Sequence, residues 1–138
     1  MQRRLVSAGV LVLAVIHVAT PLTRPVVASD GYPGRNVYFR YCASCHGDDG
    51  KGHGVVADSL KRQPADLTQI ATRRGGVFPS AEVKEIIDGR KRVAAHGTSE
   101  MPVWGKIFAQ EPASMTPAAH AESQIDMITH YLSSIQTN

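Results

Sequence analysis

Cys42-Ala43-Ser44-Cys45-His46 is the stretch on which the whole reading turns. Two thiols stand three residues apart, and an imidazole follows the second at once. On a helical turn, positions i, i+3 and i+4 share a face, so the three side chains reach the same side of the chain. Toward the N-terminus, residues 35–44 read as a helix with Val37, Tyr38, Phe39 and Tyr41 available for packing, ending near Gly47. Toward the C-terminus, residues 47–54 place four glycines in eight positions. This is a loop, because glycine permits tight turns and close backbone approach.

Three chemistries use paired cysteines at this spacing. A redox dithiol belongs beside a strand-helix-strand pattern, and no alternating strand pattern occurs after residue 28. A structural zinc ion needs four donors, whereas Cys42, Cys45 and His46 make three and the other histidines form no matching pair. C-x-x-C-H followed by a glycine loop is the attachment signal for c-type haem. The two thiols then meet the two vinyl groups on one porphyrin edge, and His46 comes under the iron in the same step. The expected cofactor is one covalent haem c.

An iron held by one histidine takes a sixth ligand or keeps an open position. Histidine with methionine is the pairing of electron-transfer cytochromes c. Met1 lies in the leader, Met127 beside the apolar stripe of the last helix, and Met115 in a linker. Met101 stands in a loop, stiffened by Pro102, which fixes its own backbone and removes a donor. His46 and Met101 are therefore the expected metal ligands. The alternative is a five-coordinate haem enzyme or a gas or redox sensor with an open sixth position. His96 lies five residues before Met101 and is the other side chain that could take its place.

The remaining chain reads as helices and long loops. A short turn is expected at 55–60, and a helix at 81–88 with Ser80 as N-cap and Gly89 at its end. A short helix follows at 103–110. The last helix, 117–135, has Thr116 as N-cap and Pro117 at its first position. Its apolar residues Ala118, Ala121, Ile125, Ile128, Leu132 and Ile135 recur on one face. Glu122, Asp126, His130 and Ser133 lie off it. Residues 111–116 read as a linker, and 109–120 as a whole form a long lead into the final helix, either a variable loop or a partner-docking feature. The fold class is all-α, with three to five helices and long loops.

The N-terminus has a different character. Arg3 and Arg4 precede an apolar run, Leu5 to Ala19, and Val26-Val27-Ala28 supplies small residues. This is the order of a secretory signal peptide. The run is short for a membrane span, which needs about 20 apolar residues. The expected organisation is a leader at 1–28 and one domain at 29–138, exported to the periplasm and membrane-anchored only if the leader stays. The full chain has 15 Lys and Arg against 12 Asp and Glu. Removing Arg3, Arg4 and Arg24 with the leader leaves 12 of each, so the basic balance belongs to the leader. No basic patch supports nucleic-acid binding. Arg90-Lys91-Arg92 is a short basic run that could meet an acidic redox partner, or simply a solvated loop.

On these residues the chain resembles a bacterial class I, single-haem cytochrome c, over residues 35–136. The resemblance rests on Cys42-Ala-Ser-Cys-His-Gly-Asp-Asp-Gly-Lys-Gly, on Gln63-Pro-Ala-Asp-Leu-Thr, on Met101-Pro-Val-Trp-Gly, and on the closing helix with Tyr131-Leu132. It implies a cytochrome c-like fold wrapped around the haem, and electron transfer between redox partner proteins rather than bond-making catalysis. The protein would be a soluble carrier or the small cytochrome subunit of a respiratory or dehydrogenase complex. It implies His46 as proximal and Met101 as distal ligand. The Pro64 carbonyl would accept a hydrogen bond from the other ring nitrogen of His46, and Leu67 and Phe78 would line the haem pocket. Trp104, or Arg73 or Arg74, would bond a propionate, and the last helix would cross the first near Gly34 and Phe39.

Overall fold

The structure is a computed structural model and describes residues 33–91 and 101–137. Residues 1–28, expected to be a leader, and His96 and Arg92 lie outside the described residues. Among the described residues five helices follow in order: α1 Pro33–Tyr41, α2 Ala43–His46, α3 Ser80–Asp88, α4 Trp104–Phe108 and α5 Pro117–Ser134. Three 3-10 turns, Ala57–Ser59, Leu67–Gln69 and Thr72–Arg74, punctuate the segment between α2 and α3. Among the described residues there is no strand, so the all-α class and its long loops are as expected.

The longest helix organises the rest. Thr116 caps α5, its hydroxyl accepting from the Ala119 N–H at 3.3 Å, and Pro117 occupies the first turn. Ala121, Ile125, Ile128 and Leu132 are buried, and α5 packs on α1, α3 and α4. Ala118, the first residue of the expected stripe, is exposed because the opening turn of α5 runs out beyond the core. Thr129 and Tyr131 are buried as well, so the covered face is wider than the apolar stripe alone.

Gly34 sets the crossing of α1 and α5. A Cβ at that position would lie 1.9 Å from the carbonyl oxygen of Met127, so only glycine lets the two backbones approach. Tyr38, fully buried on the same helix, meets the Tyr131 ring at 5.1 Å. Burial of these rings and of Phe108 removes a large apolar area from water, which is the main stabilising contribution in a domain of this size.

Two local expectations are corrected. The first helix stops at Tyr41 and α2 begins at Ala43, with Cys42 at φ −115° between them. The backbone bonds Cys42 N–H to Tyr38 O (2.8 Å) and His46 N–H to Cys42 O (2.9 Å) carry the winding across that break. Ser80 lies inside α3, and Pro79 takes the cap position without a side-chain bond, its carbonyl accepting from Val83 N–H. Gly89 ends α3 in the left-handed conformation, as expected.

Candidate functional site

The site begins with α2, a single turn that must be held from outside. A helix this short leaves its C-terminal carbonyls without intrahelical partners. The glycine loop folds back and supplies them. Val56 N–H donates to Ser44 O at 3.0 Å, Gly54 N–H to Cys45 O at 3.0 Å, and Gly52 N–H to His46 O at 2.7 Å. Tyr38 adds its hydroxyl, which donates to Gly47 O at 2.6 Å. Every residue from 44 to 47 thus has its carbonyl bonded by a later part of the loop or by α1.

The loop in turn carries the next segment. Gly52 has φ +88°, and a Cβ there would sit 2.2 Å from the Pro64 carbonyl oxygen. Gln63 donates its side-chain amide to Gly52 O, and Leu67 N–H donates to Gly50 O at 2.7 Å. These contacts lay residues 63–67 against the glycine loop. His46 Nδ1 then lies 3.0 Å from the carbonyl oxygen of Ala65. A carbonyl only accepts, so Nδ1 carries the proton and Nε2 is the nitrogen with a lone pair in the neutral ring. Bonding of this kind orients a metal-ligating histidine. The expected acceptor, the Pro64 carbonyl, is corrected to Ala65: the Pro64 oxygen is turned onto Gly52 instead.

Above α2 lies an apolar cavity of about 380 Å³, lined by Cys42 and His46 and by Leu67, Ile87, Ile128 and Leu132 among others. A smaller cavity of about 70 Å³ adjoins it, with Tyr41, Cys45, Pro64 and Trp104 in its wall. The two share Cys42, His46, Gln63 and Met101. Of the residues singled out in the sequence, Cys42, Cys45, His46, Met101, Pro64, Leu67 and Trp104 line one or both of these cavities. Phe78 lines neither cavity and packs against the core. Arg73 and Arg74 both line the larger cavity. Arg73 donates to Asp66 O at 2.6 Å, and Arg74 pairs with Glu82. Glu82 also holds Lys91 at 3.0 Å. The Lys91 bond is the largest of the influences that keep its carboxyl below the ordinary range.

Sequence reasoning missed three features. Ala65 acts only through its carbonyl and carries no side-chain signal. The walls contributed by α3 and α5 were visible as apolar faces, but nothing in their spacing showed that they border a cavity. His120, to which no sequence signal drew attention, is largely buried and bonds Glu111 at 3.2 Å. Arg90 and Lys91 pair with Asp88 and Glu82, so these two charges of the basic run are matched within the chain.

The donor set and cavity fit a covalent haem. Both cysteines are free of a disulfide. Burial, with a smaller contribution from Cys45, pushes the Cys42 thiol up to about 12. Among the described residues, no three His, Cys, Asp or Glu side chains converge as a bare metal ion requires. The volume falls in the range of cofactor pockets, about 300–1,000 Å³. A family model described as cytochrome c oxidase, cbb3-type, subunit III matches residues 30–117, well over half of the chain.

The chain belongs to this family of c-type cytochromes.

The cytochrome is thus an electron-transfer haem protein, and its C-x-x-C-H motif contains the only two cysteines in the sequence. The matched span runs from just before α1 to the first residue of α5, and so includes the attachment turn, the cavity loops and Met101. Searches of curated proteins and of solved structures returned no match.

Proposed function

We propose that this cytochrome is a periplasmic electron carrier holding one haem, with His46 and Met101 as axial ligands, and that it performs no bond-making catalysis. The observation that carries the reading is Met101: it lines both cavities that Cys42 and His46 also line. When bound, haem supplies one-electron chemistry between Fe(II) and Fe(III). The residues around it hold and tune. Cys42 and Cys45 would hold the group covalently through thioether bonds. The Ala65 carbonyl keeps the His46 proton on Nδ1 and leaves Nε2 for the iron. A methionine thioether as second ligand raises the reduction potential. Leu67, Ile87, Ile128 and Leu132 exclude water, which lowers the local dielectric and stabilises the less charged state. Arg73 and Arg74, which line the larger cavity, would receive propionate groups.

The leader at 1–28 would be removed on export. The domain would then act as a soluble carrier or as the small cytochrome subunit of a respiratory or dehydrogenase complex. The matched family's description, an oxidase subunit, supports the second form. Substituting Met101→Ala tests the ligand assignment. The oxidised protein should lose its weak long-wavelength methionine-to-iron band while keeping its haem, and the reduced form should bind carbon monoxide readily. A retained band would refute Met101 as ligand.

A further inference from the structure

Residues 109–120 have no part in the site as so far described, yet they grip its wall. After α4 the chain keeps winding: Ala109 N–H donates to Gly105 O at 3.1 Å, Gln110 N–H to Ile107 O at 3.0 Å, and Glu111 N–H to Phe108 O at 3.1 Å. This fixes the backbone of Glu111. His120 is fixed from the other end, in the first turn of α5, by its N–H to Thr116 O at 2.9 Å. The two side chains meet, and the His120 side chain keeps only 13% of its exposure. Glu111 then accepts a second bond from the Tyr41 hydroxyl, 70 residues away in sequence.

Tyr41 is the pivot. It closes α1 directly before Cys42 and lines the smaller cavity beside Met101, Pro102 and Trp104. Its ring stands edge-on to Trp104 at 5.5 Å and to Phe108 at 5.1 Å, and those two rings stack at 5.6 Å. Trp104 follows Met101 by three residues. Releasing the Tyr41 hydroxyl therefore loosens an aromatic cluster that borders the methionine segment. A carboxylate receiving both an O–H and an imidazole N–H forms charge-assisted bonds, about twice as strong as neutral ones.

We propose that Glu111 and His120 are positioning residues: they clamp Tyr41, and through it the Trp104–Phe108 stack, so that the 109–120 segment is a strap holding the Met101 side of the cavity closed. The proposal rests on the reading of this cavity as the haem site. It makes the strap a part of the electron-transfer machinery rather than a variable linker or a docking loop.

Trp104 is the only tryptophan in the chain, which makes the strap readable in the haem-loaded protein. A bound porphyrin quenches a nearby indole, and the quenching weakens with separation. In Glu111→Ala, Trp104 emission should rise severalfold. Exogenous imidazole should bind the oxidised iron about tenfold more tightly, equivalent to 1.4 kcal/mol. Tyr41→Phe keeps the ring and removes only the hydroxyl, so it should raise emission in the same direction even if Glu111→Ala fails to accumulate. Ile125→Val, a core change in α5 outside residues 109–120, serves as a control for lost stability and should leave both readings at their original values. Emission unchanged in both strap variants, or raised equally in Ile125→Val, would overturn the proposal. The methionine band of the unaltered protein reads the ligand assignment separately. Its absence would remove Met101 as ligand, while Trp104 emission would still report on the strap.

Discussion

The two walls of the haem cavity are built by different means. On the histidine side, residues 42–67 are joined by backbone hydrogen bonds over short sequence distances, and each carbonyl from Ser44 to Gly47 has a donor. On the methionine side, residues 101–120 have only local backbone bonds of their own winding, and the contacts given above that tie them to one another across the strap and to α1 are made by side chains: a ring stack, a tyrosine hydroxyl from another helix, and one carboxylate-imidazole pair. A wall made of backbone is costly to alter, because a missing or displaced main-chain bond leaves a buried polar group without a partner. A wall made of side chains can be loosened one group at a time. Under the proposed ligation, a rigid hold at His46 and an adjustable one at Met101 would suit a carrier whose potential depends on the methionine bond.

This contrast can be broken most severely at Gly52. Its φ of +88° and the 2.2 Å approach of a Cβ to the Pro64 oxygen leave no room for a side chain. Gly52→Ala should cost about 3 kcal/mol or more, since the clash is with backbone and cannot be relieved by a rotamer. Chemical denaturation of the haem-loaded protein would measure it. A loss within a few tenths of that from a surface substitution would show that the histidine wall is softer than its geometry implies.

A milder test removes one bond from the same wall. Tyr38→Phe deletes the hydroxyl that donates to Gly47 O and leaves the ring packed against Tyr131. The remaining donor to that carbonyl is Gly50 N–H at 3.1 Å. The expected cost is about 1–2 kcal/mol in the same denaturation measurement. The methionine band should be unchanged, because the effect stays on the histidine side.

The smallest effect concerns the methionine side and appears only in acid. The Tyr41 bond, with help from His120 and the charge of Arg40, holds the Glu111 carboxyl below its ordinary range against a partial cost of burial. Its folded pKa is lower than its unfolded one, so its contribution to stability is complete above the unfolded value. That contribution is lost as pH falls through the lowered folded value. The stability gap between the unaltered protein and Glu111→Gln should be widest at neutral pH and close on acidification below the usual carboxylate range. A gap that did not change with pH would mean that the charge of Glu111 does no work in the strap.

What was legible in the sequence follows the same division. The attachment turn could be read because three chemically distinctive residues fall on one helical face. The cap and most of the buried stripe of α5 could be read because Thr116-Pro117 and a 3,4 spacing are local signals. The failures are tertiary. Which carbonyl His46 meets depends on how residues 63–67 lie on the glycine loop, and a shift of one residue exchanges Pro64 for Ala65. Phe78 and Ala118 are apolar residues whose surroundings are set by packing that no spacing encodes. The bond of Tyr41 to Glu111 spans 70 residues and, with His120, links three ordinary polar side chains, none of which stands out in the sequence.

Whether a porphyrin is covalently joined to this particular turn is best decided on the purified, exported protein by its mass together with its visible spectrum. The account predicts a coloured protein, heavier than the leader-free polypeptide by one haem, with neither Cys42 nor Cys45 open to alkylation. A colourless protein at the bare polypeptide mass, with both thiols alkylated, would contradict it.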